Sequence, residues 1–291
     1  MNRTTSLDTI FISGGTSGLG FQMAEHFVSS GASVIICGRN SVLVENSIRL
    51  LNEVARSDQS ILGFTCDVAD AASVSKMFAE INQLGISVQV LICNAGVIGP
   101  IDEFLENDLT KWQNAFNINL YGTLYLVAAT LPGMLLSKKG RVIHISGGGA
   151  TSPLFGMSSY AASKAAAVRF IETVALEYKG SGITFNSVAP GMLKTKLLDQ
   201  MLEAGPDRIG ESLFNKSSAK ADASSDSSAR AIELIDFLLS DASSGITGKL
   251  ISAEWDNWSD WPNHLDDLGS SDIYTLRRVT GRDRGQNWGD L

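Results

Sequence analysis

The chain has 291 residues, of which 44% are apolar, 31 are acidic and 23 are basic, and its formal net charge is −8. This length and apolar content allow a large core and exclude wholesale disorder. The negative charge argues against nucleic acid or an anionic membrane surface as a partner. No uninterrupted apolar run approaches about 18 residues, so we expect no membrane-spanning segment.

The N-terminus and the cysteines both favour a cytoplasmic protein. Residues 1–15 lack the uninterrupted apolar stretch and cleavage site of a secretory signal. Cys37, Cys66 and Cys93 are widely spaced and odd in number. This pattern is typical of reduced thiols that pack as small apolar side chains, and it argues against a disulfide framework or a zinc site.

Short apolar runs alternate with longer helical patterns along the chain. The predicted strands are 9–13, 33–37, 61–66, 88–93, 141–146, 183–188 and 249–252. The predicted helices include 42–55, 74–84, 110–137 with an interruption at Pro132, 159–178 and 229–240. Apolar strands that alternate with helices predict an α/β fold with a doubly wound parallel sheet. Ligands of such sheets bind beyond the carboxyl ends of the strands.

Two segments depart from this alternation. Residues 216–230 are rich in Ser, Ala and Asp, which predicts a loop that leads into the next helix. Residues 253–291, the C-terminal tail, hold four of the five tryptophans. The tail is too short for a core of its own, so we expect one domain, residues 1–252, with the tail packed on it.

A glycine-rich loop joins the first predicted strand to the first helix. In the sequence SGGTSGLG, Gly14 permits a tight turn, Gly18 lets the backbone approach a pyrophosphate, and Gly20 lets helix and strand pack closely. Thr16, Ser17 and Leu19 complete the loop, and the helix N-terminus supplies free N–H donors to phosphates. A tight turn without a ligand is the alternative.

At six places in residues 9–252 the chain resembles the short-chain dehydrogenase/reductase family. That family has the motifs T-G-x-x-x-G-x-G, D-V, N-N-A-G, a helical Asn, Y-x-x-x-K and P-G-x-x-x-T. The matching residues are Ser13 to Gly20, Asp67 with Val68, Cys93 to Gly96, Asn119, Tyr160 with Lys164, and Pro190, Gly191 and Thr195. Ser13 and Cys93 depart from the pattern, but the order of six weak motifs makes the resemblance specific.

The resemblance implies a Rossmann-type fold and hydride transfer between NAD(P)(H) and a carbonyl or secondary alcohol. Tyr160 would be the general acid or base, and Lys164, on the same helix face, would favour its phenolate and bind the nicotinamide ribose. Lowering a tyrosine pKa from about 10 to about 7 requires about 4 kcal/mol, which Lys164 and an oxidised nicotinamide together could supply. Asn119 would support a proton-relaying water, or would make a purely structural hydrogen bond.

The remaining motifs imply contacts with the cofactor. Asn94, Ala95 and Gly96 would let the backbone approach the ribose. Asp67 and Val68 would lie at the adenine. Pro190, Gly191 and Thr195 would bind the carboxamide or a phosphate.

The serine that orients the substrate oxygen in this family is displaced here. Alignment on Tyr160 places Gly147 at that position, with Ser146 one residue earlier. A shift of one residue turns a side chain to the other face of a strand. We assign the role to Ser146, re-aimed by a bulge in the glycine run that follows it. The alternatives are Ser152, a backbone N–H, or loss of the role.

The end of the second strand favours NADP(H) over NAD(H). A carboxylate that would hold the ribose 2′-hydroxyl is replaced by Gly38, and Arg39 follows with a guanidinium that suits a 2′-phosphate. Ser17 supplies no basic residue inside the loop, which is a counter-signal. Arg39 could instead stack on the adenine with either cofactor, so NAD(H) stays open.

The tail offers only indirect information on the substrate. Trp255, Trp258 and Trp261 recur every third residue, which fits core packing or a platform for a polyhydroxylated, sugar-derived ring. We expect a small-molecule carbonyl or alcohol substrate and a homodimer or homotetramer, with close contacts at Ala161, Ala165 and Ala166. Two other functions stay open: a non-catalytic dinucleotide sensor, kept open by Gly147, and an epimerase or dehydratase that retains its cofactor.

Overall fold

The computed structural model describes residues 9–222, 228–286 and 288. Within these residues seven strands form one sheet. They are β1 (Thr9–Ser13), β2 (Ser33–Gly38), β3 (Ile61–Thr65), β4 (Val90–Cys93), β5 (Gly140–Ile145), β6 (Ile183–Ala189) and β7 (Lys249–Ser252). All pairings are parallel, in the order β3-β2-β1-β4-β5-β6-β7. The strand order runs outward from β1 to β3 on one side and from β4 to β7 on the other, and this change between β1 and β4 opens a crevice at their carboxyl ends.

Helices cover both faces of the sheet. They are α1 (Gly18–Ser30), α2 (Ser41–Val54), α3 (Ala71–Gln83), α4 (Leu109–Phe116), α5 (Gly122–Ser137), α6 (Ser158–Glu177), α7 (Lys196–Ala204), α8 (Pro206–Ile209), α9 (Glu211–Asp222), α10 (Ser228–Leu239) and α11 (Leu265–Ser270). Two apolar clusters result, one that includes α1 and α10 and one that includes α3, α5 and α6. The strands are continuously apolar because both faces are buried, as in β1, where Ile10, Phe11 and Ile12 are inaccessible to solvent.

The interruption predicted at Pro132 is wrong. The helix α5 runs through Pro132 to Ser137, and the break lies earlier, at the π-helical segment Asn117–Tyr121 between α4 and α5. A proline inside a helix costs about 3 kcal/mol. Here Leu131 and Met134 are buried on either side of it, and that packing holds the helix together.

By length and composition alone, the run Leu109–Ser137 could cross a membrane, with a mean hydropathy of 1.4 over its most apolar window. In the structure the α5 part of this run packs on β4, β5 and α3. Buried Leu126, Val127 and Met134 join the apolar cluster there, so this side of the run serves as a core helix.

The loop predicted for residues 216–230 is largely helical. The helix α9 extends to Asp222, and α10 begins at Ser228. Residues 223–227 lie outside the described residues. The polar composition misled the prediction because α9 buries few of its side chains and therefore tolerates Ser, Lys and Asp on most of its surface.

The tail continues the apolar cluster formed with α1 and α10. Trp258, Trp261 and Leu268 are buried in it, and the ring of Trp258 lies 5.5 Å from that of Phe237 on α10. Trp255, in contrast, is 81% exposed. The core-packing explanation therefore holds for Trp258 and Trp261, which cannot also offer their faces to a sugar.

Two buried charged side chains hold the tail against the open edge of β7. The Lys249 ammonium donates to the carbonyls of Ser271 (3.2 Å) and Ile273 (2.9 Å). The Glu172 carboxylate of α6 accepts from the N–H of Leu276 at 2.7 Å. The tail also supplies a carbonyl, that of Tyr274, to the N–H of Leu250 on β7. An unpaired strand edge is thereby covered.

Candidate active site

The glycine-rich loop has the geometry that its sequence predicts. Gly14 and Gly18 have φ angles of +64° and +53°, a region that side chains disfavour. A Cβ atom at Gly20 would overlap the carbonyl oxygen of Gly14. Substitution is therefore opposed by backbone strain at the first two positions and by lack of space at the third.

Ser13 ties this loop to the end of β4. Its hydroxyl accepts from the N–H groups of Asn94 (3.0 Å) and Ala95 (3.1 Å). The Asn94 side chain donates in return to the carbonyls of Ser13 and Gly14. The Ser13 hydroxyl therefore makes these hydrogen bonds at a position where the family pattern has threonine, which also carries a hydroxyl.

The N-terminus of α1 is free to bind an anion. Its N-cap residue, Ser17, has an extended backbone, and its side chain makes no capping hydrogen bond. The N–H groups of the first turn therefore keep their donor capacity, and the helix dipole adds positive potential. Thr195 lies against the same loop, since a Cβ atom at Gly18 would be 3.3 Å from its methyl group. The residues present fit a pyrophosphate.

Tyr160 and Lys164 lie one turn apart on α6. The Lys164 ammonium is buried, donates to the carbonyl of Ile145 at 2.7 Å, and lies 6.0 Å from the centre of the Tyr160 ring. A Cβ atom at Gly96 would lie 3.4 Å from this ammonium and 3.3 Å from the Asn119 side-chain oxygen. The bare backbone of Gly96 thus leaves room for a polar ligand in front of Lys164, and the ammonium has donors to spare for it.

Burial is the largest influence on the pKa values of this pair. It raises the pKa of Tyr160 to about 12 and lowers the pKa of Lys164 to about 8. The sequence predicts a lowered tyrosine pKa, but only beside a positively charged nicotinamide. Burial away from water disfavours the charged form of each group. Tyr160 is therefore a proton donor at neutral pH.

Asn119 occupies the π-helical segment and joins three parts of the site. Its side-chain oxygen accepts from the N–H of Val97, and its amide donates to the carbonyl of Val97 and to the hydroxyl of Ser163, each at 2.9 Å. These bonds fix the loop after β4 against α6. Ser163 carries no motif of its own, and sequence reasoning missed it.

The glycine run after β5 does not bulge. Gly147 is extended, and Gly148–Ala150 form a 3₁₀ turn. A Cβ atom at Gly147 would overlap the Tyr160 hydroxyl, so position 147 faces the tyrosine. The Ser146 hydroxyl is buried and has no hydrogen-bond partner among the described residues. Ser152 is exposed.

At the end of β2, space is short at Gly38. A Cβ atom there would lie 2.9 Å from the Thr16 methyl group. Arg39 is exposed and forms no ion pair with a described residue. The N–H of Cys66 donates to the carbonyl of Gly38, which brings Arg39 and Asp67 to the same edge of the sheet.

The turn after β6 brings in a residue of the tail. Gly191, which follows Pro190, has a φ of +83°, and a Cβ atom there would lie 2.9 Å from a carboxylate oxygen of Glu254. No sequence signal indicated Glu254, because the tail lies outside the six motifs. The Val68 side chain, in contrast, packs against Gly122 of α5.

These elements agree with a known family. The sequence model of short chain dehydrogenases matches residues 8–205. The chain belongs to this family. The family is one of dehydrogenases and reductases, as the names of its members state.

Curated relatives of this short-chain dehydrogenase are similar to it over about two thirds of its length. Dehydrogenase/reductase SDR family member 7B of Rattus norvegicus is 33% identical over 69% of this chain and 62% of its own length. The chain thus matches less than two thirds of that relative. A 3-oxoacyl-acyl-carrier-protein reductase of Buchnera aphidicola is 29% identical over 66% of this chain and 76% of its own length.

Solved structures share the fold. An actinorhodin polyketide ketoreductase with NADPH has a TM-score of 0.76 at 23% identity, covering 93% of this chain and 100% of its own. Levodione reductase has a TM-score of 0.74 at 24% identity, covering 84% and 95%. At such identities the comparison establishes the architecture alone.

Proposed function

We propose that Tyr160 and Lys164 are the catalytic pair of a nicotinamide-dependent carbonyl reductase or alcohol dehydrogenase. The observation that carries this proposal is the buried Lys164 ammonium, one turn from Tyr160 and facing the bare backbone of Gly96. When bound, the reduced nicotinamide supplies the hydride that becomes the new C–H bond, and it is oxidised as the carbonyl is reduced.

Side chains of the protein then carry out the proton transfer. The Tyr160 O–H bond breaks, and its proton passes to the carbonyl oxygen as the C=O π bond opens. Burial raises the pKa of Tyr160, so the hydroxyl keeps its proton until the carbonyl oxygen accepts it, and the Lys164 ammonium favours the phenolate that results. Lys164 offers its remaining N–H donors to the ribose hydroxyls and stabilises the phenolate that forms. Asn119 holds the loop that carries Gly96 and would support a water that relays protons to Lys164.

Ser146 is our candidate for binding the substrate oxygen, because its buried hydroxyl has unused hydrogen-bonding capacity. A buried hydroxyl without a partner costs free energy, which a ligand would recover. Rotation of this side chain toward Tyr160 is required for the role. The alternative donors are Ser152 and a backbone N–H of the glycine run.

We propose NADP(H) as the preferred cofactor. The Thr16 methyl group leaves little room for a carboxylate at position 38, and the Arg39 guanidinium is available for a 2′-phosphate. The phosphate site would comprise the loop and its neighbours, namely Gly14, Thr16, Ser17, Gly18, Leu19, Gly20 and Thr195. Asp67 and the backbone of Val68 would contact the adenine. Asn94, Ala95 and Gly96 would contact the ribose, and Pro190 and Gly191 would contact the carboxamide end.

For the assembly we propose a homodimer or homotetramer built on α5 and α6. Leu136 and Leu176 are 88% and 73% exposed on these helices, which is typical of a surface that a second copy covers. We also propose that residues 253–291 are an extension of one domain, as their buried tryptophans suggest. The three free, buried thiols support a cytoplasmic location.

A non-catalytic dinucleotide sensor is the second candidate. Gly147 favours it, because the position that faces the Tyr160 hydroxyl carries no side chain. The two functions differ in turnover and in their dependence on Tyr160, but not in cofactor binding.

The deciding experiment follows NADPH and NADH absorbance with a panel of ketones and aldehydes. For a reductase, Tyr160→Phe should lower kcat by about 10²- to 10⁴-fold and leave cofactor binding intact. Tyr178→Phe, at the end of the same helix, is the matched control and should retain activity. Tight NADPH binding without turnover of any compound, unchanged by Tyr160→Phe, would establish the sensor instead.

A further inference from the structure

The Tyr160 ring lies in an apolar cluster distinct from the two that cover the sheet. This cluster joins Tyr160 to Ile98 and Met157 and to side chains of α7, α8 and α9. From the helices, Met201 and Ile209 are buried in it. Residues 196–222, the α7–α9 segment, therefore present hydrocarbon to the tyrosine.

Several polar side chains on or beside the same elements are already paired or exposed. The hydroxyl of Ser159 donates to the carbonyl of Ile98, and that of Ser158 accepts from the Trp112 indole at 3.0 Å. Arg208 of α8 lies 3.7 Å from Asp102, with both side chains exposed to solvent. A substrate with several hydroxyl groups would leave some of them buried without a partner, which is costly.

The glycine run after β5 also borders Tyr160. Gly147 to Gly149 carry no side chains, and a Cβ atom at Gly148 would meet nothing within 4 Å. At Gly147 a Cβ atom would overlap the Tyr160 hydroxyl, and Gly148 is exposed to solvent, so the run contacts Tyr160 through backbone alone. Ser146 is the nearby buried hydroxyl that has no partner among the described residues. One substrate oxygen can be bound by Tyr160, and by Ser146 after its side chain rotates toward Tyr160, and the rest of the molecule meets apolar side chains or bare backbone.

We infer that the substrate is an apolar ketone, or the corresponding secondary alcohol, whose hydrocarbon part packs between the glycine run and the α7–α9 segment. This inference rests on the proposed function and replaces the polyhydroxylated substrate that the tail suggested. The tryptophans that motivated that suggestion, Trp258 and Trp261, are buried in the core near α10. Leu197, Leu213 and Phe214, half-buried in the cluster, are the side chains that meet the hydrocarbon.

The test compares two series of ketones at saturating NADPH. The first is acetone to 2-nonanone, and the second is open-chain hydroxylated ketones of equal carbon number, such as dihydroxyacetone and erythrulose. We expect kcat/KM to rise by about threefold to fourfold for each added methylene until the pocket is filled. The hydroxylated ketones should fall at least about tenfold below the alkanones of equal length, because their hydroxyl groups must be desolvated.

Leu197→Gln should flatten the dependence of kcat/KM on chain length, since it places an amide beside the hydrocarbon. Leu202→Gln is the matched control, because Leu202 lies on the same helix α7 outside the cluster, and it should keep the wild-type dependence. The wild-type comparison decides the inference even where a variant does not fold.

A flat dependence, or faster turnover of the hydroxylated series, would overturn the apolar substrate and leave the reductase intact. Absence of turnover in both series, with NADPH still bound, would overturn the proposed function and the substrate class with it.

Discussion

The edge of the sheet formed by the carboxyl ends of the strands is rich in glycine, and the C-terminal tail is rich in tryptophan, for opposite physical reasons. At the edge, Gly14, Gly18 and Gly20 are required because a side chain would strain or overlap the backbone. In the tail, Trp258 and Trp261 are required because their volume completes a core. The sheet edge therefore requires positions without a side chain, whereas the tail requires large apolar side chains. Changes in the two regions should therefore affect different properties of the protein.

The largest expected effect is on stability, from the tail. Trp261→Ala removes a buried ring that packs 4.3 Å from Tyr274, and it should lower the free energy of unfolding by about 3–5 kcal/mol. Urea unfolding measures this change. Trp255→Ala is the control, and it should stay within about 0.5 kcal/mol of the wild type because Trp255 is exposed. Equal losses in the two variants would contradict the division of the tail tryptophans.

Next is a change at the edge that should weaken cofactor binding. Gly20→Ala forces a Cβ atom into the carbonyl of Gly14, and the displaced loop should bind NADPH about 10- to 100-fold more weakly. Fluorescence titration gives the Kd. Gly269→Ala in α11 has open space around it, so its NADPH affinity should be unchanged and the helix slightly stabilised. Wild-type affinity in Gly20→Ala would show that the loop does not hold the phosphates.

A smaller effect concerns cofactor choice at the same edge. Arg39→Ala should raise KM for NADPH about tenfold through loss of a charge-assisted hydrogen bond, with KM for NADH nearly unchanged. Arg49→Ala removes an equal charge from α2, where Arg49 pairs with Glu53, and should alter neither constant. A parallel rise for both cofactors in Arg39→Ala would favour stacking on the adenine over binding of a 2′-phosphate.

The smallest expected effect concerns an ion pair between α1, which follows the glycine-rich loop, and α10, on which the tail packs. His26 lies 2.6 Å from Asp236, and this hydrogen bond raises the pKa of the imidazole above its ordinary value of 6.5. A histidine whose pKa is higher in the folded than in the unfolded protein stabilises the fold through its charged form. This contribution is complete at pH values below the pKa of the unfolded state, and it is lost as the pH rises through the pKa of the folded state. His26→Gln should therefore cost about 0.5 kcal/mol at pH 5.5 and less at pH 8, since the pair is partly exposed.

A double-mutant cycle with Asp236→Asn checks the assignment to this pair. The double variant should lose no more stability at pH 5.5 than either single variant. Additive losses would mean that the two side chains act independently.

Sequence reasoning predicted the sheet well and some of the site poorly. All seven strands lie within two residues of the predicted ranges, because fully buried strands must be continuously apolar. The π-helical turn at Asn119 was not predicted, since it depends on hydrogen bonds to Val97 and Ser163 from distant elements. The break expected at Pro132 failed because tertiary packing outweighed a local preference.

What the sequence by itself determined is the fold, the family and the order of the functional residues, because apolar periodicity and glycine positions are local requirements of backbone geometry. Only the tertiary structure decided that Gly147 faces the Tyr160 hydroxyl, that Glu254 lies beside Gly191, and that Trp258 and Trp261 belong to the core. These relations join residues far apart in the chain. They depend on which surfaces are buried against each other, and no local pattern records that.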